Sequence, residues 1–218
     1  MNPKLLADFY EGGIFHVFNR TNNRELLFIS DENRAYFLKQ FAKYLQPFLE
    51  TFCWCLLPNH FHFLVRVREH IAITEHLDSI DHSLLRPIER KYLAGEVSAE
   101  LLLEFEWKRF FTSYSMAFNK KQQRKGNLFH RPFKRVHIDN DDYFTQAVIY
   151  IHANPAKHNI CSDFSKYKWS SWMSALSSKP TLLSREELIE WFGGIEKFIG
   201  IHQSQTQYYY DTAIAIED

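Results

Sequence analysis

The stretch Pro58-Asn59-His60-Phe61-His62-Phe63-Leu64-Val65 decides the fold. Phe52, Trp54, Leu56 and Leu57 lie before it, and Val67 follows. Runs of aromatic and β-branched residues fit a buried sheet. Side chains alternate faces along a strand, so His60 and His62 project the same way. Two imidazoles a few ångströms apart can chelate one metal ion. The 218 residues hold 11 histidines, however, so chance also produces such a pair, and two half-exposed strand histidines are the competing reading.

Outward from that strand the chain reads as alternating elements. Residues 13–18 are a first strand, and Asn19 to Arg24 a donor-rich polar turn. Ser30 is placed to cap a helix over 31–44, in which Tyr36, Phe37, Phe41 and Tyr44 recur at helical spacing. A second strand covers 51–57 and a third 60–67. Pro58-Asn59 is either a hairpin turn or a break in one bent strand. Residues 69–105 read as a mixed, mostly helical insertion interrupted at Pro87, with a short helix from Ser98. A helix over 106–119 carries Trp107, Phe110, Phe111, Tyr114 and Phe118. Lys134 to Ile138 is a fourth strand, and Asp139-Asn140 caps a helix over 141–153. Asn154-Pro155 is expected to end it, because the residue before proline avoids the α region.

The order strand, helix, strand, strand, helices, strand, helix implies an α+β fold. It is the split β-α-β arrangement of ferredoxin-like domains, an antiparallel sheet with helices on one face. The expected domain covers 1–158, and 159–218 is an appendage with a helix near 184–192 and no role assigned to 193–218.

Composition narrows the class. Hydrophobic content of 45% and aromatic content of 17% describe a folded chain, not a disordered one. No apolar run is long enough to span a bilayer, and Met1 to Asp8 has no signal-peptide core. Three cysteines without a C-x-x-C motif fit a reduced, cytoplasmic protein. Net charge is zero, yet Trp107 to Ile138 contains no Asp or Glu. That stretch holds Lys108, Arg109, Lys120, Lys121, Arg124, Lys125, Arg131, Lys134 and Arg135. A solvated helix face normally mixes both signs, so an unmixed run points to nucleic acid. Phe129 and Phe133 lie within it, as stacking platforms for bases or as core. Candidate DNA contacts are Arg20, Asn23 and Arg24 in the polar turn, with Lys120, Lys121, Arg124, Lys125, Arg131, Lys134 and Arg135.

The helix after Asp139 places Tyr150 and Asn154 four apart, on one face. A phenol and an amide oxygen would then address one site. A protonated tyrosine is a poor nucleophile and needs a metal or base and a polarised electrophile. In a chain with 11 tyrosines, core packing is the ordinary alternative for Tyr150.

Four motifs stand in a telling order: Arg20-Thr21-Asn22-Asn23-Arg24; Leu57 to Val65; Gly126-Asn127-Leu128-Phe129 with Arg131-Pro132-Phe133-Lys134; and Tyr150-Ile151-His152-Ala153-Asn154-Pro155-Ala156-Lys157. Together with Tyr167-Lys168-Trp169-Ser170-Ser171, this order resembles the single-tyrosine HUH transposases, and within them the REP-associated tyrosine transposase group. The resemblance runs from about Gly13 to Trp172, with a longer connector between Val67 and Trp107 than that family usually has. It implies a ferredoxin-like fold and a divalent metal, magnesium or manganese. It also implies cleavage of single-stranded DNA near hairpins through a 5′-phosphotyrosine. Carried over, the HUH motif falls on His60-Phe61-His62, the nucleophile on Tyr150 and the third metal ligand on Asn154. Two imidazoles favour zinc, nickel or manganese over magnesium on general grounds.

Three functions compete at this stage. The first is a strand-nicking and rejoining enzyme acting on single-stranded DNA with hairpin or palindromic repeats, as monomer or homodimer. The second is a catalytically silent DNA-binding protein of the same fold. The third is a metal-dependent hydrolase without a tyrosine nucleophile.

Overall fold

The computed structural model describes residues 5–212, with side chains up to 205. The ends of the sequence-drawn domains, 1–4 and 213–218, lie outside the described residues, as does part of the N-terminal segment read above.

Four strands build one antiparallel sheet: β1 (Ile14–Arg20), β2 (Leu49–Leu57), β3 (His60–Val67) and β4 (Lys134–Ile138). The order is β2-β3-β1-β4. Two helices connect strands across it, α1 (Asp31–Tyr44) between β1 and β2 and α4 (Ala99–Lys121) between β3 and β4. This is the split β-α-β plan expected from the element order. Pro58-Asn59 is a tight turn, so β2 and β3 are a hairpin. β1 runs two residues beyond Phe18, because Asn19 pairs with Phe61 and Arg20 with His60.

The register sorts side chains by face. Phe15, Val17, Leu56, Phe61, Phe63 and Val65 enter one core with Phe37 and Phe41 of α1 and Trp107, Phe110 and Tyr114 of α4. The rings of Phe41 and Phe63 stack 4.0 Å apart, nearly parallel. The Ser30 hydroxyl accepts from Asn33 N–H at 3.2 Å, which starts α1 at the residue the sequence marks. The helix read over 106–119 begins earlier, at Ala99. Leu102, Leu103, Glu106 and Trp107 form one buried stripe, and pairing with Arg109 at 2.8 Å lets Glu106 lie in it.

The opposite face is also covered, which corrects the expectation that helices lie on one face only. Helix α5 (Asp141–Lys157) packs there against Phe52, Cys53, Cys55, Leu57, Leu64 and Ile138. Nine consecutive residues of α5, Ala147 to Pro155, are buried. A helix buried all round needs partners on both sides. The second side is supplied by α6 (Trp172–Leu176), α7 (Arg185–Trp191) and α8 (Ile195–Thr212), through Trp172, Leu188 and Phe198. The insertion forms α2 (His70–Asp78) and α3 (Pro87–Leu93).

Helix α5 does not stop before Pro155, as the sequence suggested; it ends at Lys157. Proline there forfeits one backbone bond, to the Ile151 carbonyl. Burial on two sides outweighs that loss, and His158 N–H closes the last turn on the Asn154 carbonyl at 3.0 Å.

The appendage is pinned by strand pairing and by an imidazole chain. Leu56 N–H donates to Trp169 O at 2.8 Å and Ser171 N–H to Trp54 O at 2.9 Å, covering the outer edge of β2. His202 Nδ1 donates to Phe198 O at 2.8 Å, which leaves its Nε2 to accept from His152 Nδ1 at 3.1 Å. His152 Nε2 then accepts from the Ser171 hydroxyl at 2.9 Å. These proton positions are those of two neutral rings, the form that burial favours. Burial pushes the pKa of His202 down to about 4, and burial followed by the neighbouring His202 holds His152 well below 6.5. The unfolded chain takes up these protons below about 6.5 and the folded chain does not. Stability therefore falls as pH drops from about 6.5 toward 4, by roughly 1.4 kcal/mol per pH unit for each ring. Urea unfolding at pH 7, 6 and 5 should show that slope, and His202→Leu should flatten it; an unchanged slope would remove the pair from the acid response.

Candidate active site

The hairpin end is the rigid part of the site. Pro58 O accepts from Leu27 and Phe28 N–H at 2.7 and 3.0 Å, and Asn59 O accepts from Thr21 N–H at 3.0 Å. His60 Nδ1 donates to Asn59 Oδ1 at 2.6 Å. His62 is buried, and its Nδ1 lies 2.9 Å from Nε2 of the buried His16. Both rings are thus held through Nδ1 on the α5 face of the sheet, with centroids 5.2 Å apart.

Helix α5 lays a matching stripe alongside. The Tyr150 ring meets His62 and His16 edge-on, at 5.8 and 6.0 Å between centroids. Asn154 follows one turn later, fully buried. His158 follows one turn beyond that, its ring 5.0 Å from His60. The Lys157 ammonium sits over the Tyr150 ring at 4.6 Å, and only 2% of Tyr150 is exposed. The four residues expected to act together, His60, His62, Tyr150 and Asn154, therefore lie on one strand and one helix that face each other.

Sequence reasoning missed His16 and His158. Strand alternation from Ile14 through His16 and Phe18 to Arg20 would have given His16, because Phe18 and Arg20 pair directly with His62 and His60. His158 continues the fourfold spacing of Tyr150 and Asn154 but falls after the proline that was taken as the helix end.

A cleft of about 540 Å³ opens at His60, His62 and His158, lined also by Arg20, Arg24, Arg131 and Lys134, with Tyr150 and Asn154 buried behind the lining. Those four cations are the candidate DNA contacts that the fold brings to the site. The others part company. Asn23 is exposed in the one-turn segment Asn22–Arg24, at φ 58°, outside the cleft lining. Lys120, Lys121 and Lys125 are exposed at the far end of α4. Arg124 clamps its own loop, donating to Glu25 at 2.7 Å and to the carbonyls of Gly126 and Asn127. Arg135 points to the other side of the sheet, buried at 5% exposure. There it pairs with Glu100 at 2.5 Å and Glu104 at 2.9 Å and packs on Phe9 and Phe133. Its position in β4 turns it away from Lys134, so adjacency in sequence put the two on opposite faces. Phe129 is core, and Phe133 is half-buried against Trp107 and Phe111.

The donor set is two imidazoles and an amide oxygen. Among the described residues, no group of three or more His, Cys, Asp and Glu side chains is arranged to hold a metal. The candidate set instead draws its third donor from Asn154. Nitrogen and oxygen donors with positions left open suit a borderline divalent ion. Because all three donors are neutral, they would leave the full dication charge to be met by an anionic ligand.

No known family profile matches the sequence, and no curated protein matches it. A solved structure does: a REP-associated tyrosine transposase bound to a REP hairpin, at a TM-score of 0.53 and 17% identity, over 81% of this chain and 88% of that one. At that identity the likeness concerns the fold. No helix among the described residues is long and apolar enough to cross a membrane.

The two arginines of the loop and strand should separate in a stability assay. Removing a buried, paired charge leaves its carboxylate partner stranded, at about 3–5 kcal/mol. Arg135→Ala should lose stability of that order in urea unfolding, whereas Arg131→Ala, exposed at the cleft, should stay within about 0.5 kcal/mol. Equal losses would contradict the division between frame and cleft.

Proposed function

We propose that the chain is a metal-dependent nuclease and strand-transfer enzyme acting on single-stranded DNA beside hairpins, with Tyr150 as nucleophile. The observation that carries this reading is that His62, which lines the cleft together with four cations, meets the buried ring of Tyr150 edge-on. The match to a hairpin-bound transposase supports it at the level of fold.

The phenolic oxygen of Tyr150 attacks the scissile phosphorus, the bond to the 3′ oxygen breaks, and the 5′-phosphate end of the downstream strand stays joined to the protein. The phenol gives its proton to cleft water, and the departing 3′ oxygen takes one up, so protons balance. Lys157, against the Tyr150 ring, supplies positive charge where negative charge grows on the phenol oxygen. Arg20, Arg24, Arg131 and Lys134 hold the flanking phosphates. His60, His62 and Asn154 would hold a magnesium or manganese ion, which would supply Lewis-acid polarisation of the phosphate. The energy of the phosphodiester is kept in the tyrosyl ester, so the same site can rejoin strands. A silent DNA-binding protein of this fold is the second reading, favoured only by the near-complete burial of Tyr150.

Incubation with a hairpin bearing a single-stranded flank and manganese should give a covalent protein–DNA adduct. Tyr150→Phe should abolish it while hairpin affinity stays within about threefold. An adduct of full strength in that variant would shift the nucleophile elsewhere. Binding without any adduct in the unmodified protein, with either metal, would establish the silent binder.

His16 is assigned a positioning role, holding the His62 ring through Nδ1 so that Nε2 is the ligating nitrogen. Such outer partners are worth roughly 10–100-fold in metal affinity. His16→Phe should weaken manganese binding, read by calorimetry without DNA, by that factor; unchanged affinity would make His16 a packing residue only.

A further inference from the structure

A second groove, of about 610 Å³, lies between α4 and the loop 126–133. It meets the first cleft along a common wall: Asn19, His130, Arg131 and Pro132 line both. Its floor is apolar and aromatic, from Phe111, Met116, Phe129 and Phe133, and its α4 side carries the small polar groups Thr112, Ser115 and Asn119. Met116 is 69% exposed, and Lys108 and Arg131 stand at the rim. The single acid of the lining, Glu104, is paired with Arg135 at 2.9 Å.

We propose that this groove binds the unpaired DNA segment that continues past the scissile phosphate, with a base seated on the Phe111–Met116–Phe133 surface. The inference rests on the DNA reading above and extends it. Continuity is the first argument, since a strand leaving the cleft between Arg24 and Arg131 reaches the groove by crossing the Arg131-Pro132 wall. Chemistry is the second. A single strand pairs apolar base faces with a phosphate backbone, and aromatic surfaces interleaved with cations are what such strands bind. A duplex keeps its base faces stacked inside and has no use for the apolar floor. The volume is within the roughly 300–1,000 Å³ range of sites that bury small ligands.

The test compares two DNA probes, a blunt hairpin and the same hairpin with an unpaired extension carrying 2-aminopurine. Thr112→Glu and Met116→Glu change exposed positions of α4 and leave the core untouched. Wild-type protein should quench 2-aminopurine in the extension. Each variant should lose that quenching and about tenfold in affinity for the extended hairpin, the worth of one stacked base. Affinity for the blunt hairpin should hold within twofold. Wild-type affinity of both variants for the extended hairpin would overturn the proposal, and so would an equal loss on both probes, which would put duplex in the groove. If wild-type protein binds neither probe, the DNA reading itself fails and this one with it.

Discussion

A slip of one residue in the pairing of β3 would turn Phe61, Phe63 and Val65 toward α5 and drive His60 and His62 into the aromatic core under α1 and α4. The candidate site depends on that slip not occurring. Two constraints prevent it. The Pro58-Asn59 turn is tied to Thr21, Leu27 and Phe28 by backbone bonds, and Phe63 is stacked on Phe41. Aromatic packing on one face thus sets where imidazoles stand on the other. The cost of burying His62 is met by His16 across the strand pair.

Charge is sorted by the same pleat. The chain holds 26 Lys and Arg and 26 Asp and Glu residues, and several of the acids are paired with arginines away from the cleft. Glu100 and Glu104 take Arg135, Glu89 and Glu106 take Arg109, and Glu50 and Glu187 take Arg66. Burial is the stronger influence on Glu106, whose pKa rises to about 7 despite Arg109. The cations that line the cleft, by contrast, sit on or beside strand ends and loops. A neutral chain can therefore present a positive groove without any change in composition.

Local signals were legible where local physics decides. Ser30 marked the start of α1, and the alternation of 60–67 and 134–138 gave β3 and β4 their limits. What escaped was decided by contacts distant in sequence. Pro155 reads as a stop until the burial of α5 on two sides is known. Lys134 and Arg135 read as a pair until the sheet separates them. His152, inside the motif that carries Tyr150, serves the appendage through His202, and no spacing rule connects positions 50 residues apart. The four-residue constellation at the site was readable because two short periodicities, two on a strand and four on a helix, produced both halves. That the halves face each other is a property of the sheet.

Helix α5 is enclosed by the sheet on one side and by α6 to α8 on the other. Levering it outward would expose Val148, Ile149 and Ile151 on either flank together with the neutral imidazole chain. It belongs to the chassis of the molecule and not to its moving parts. In a reaction that swaps one strand end for another, the cargo must travel and the tool must stay still. Under the proposed function, any exchange of strand ends would therefore fall to movement of the DNA along the joined grooves and not to movement of α5.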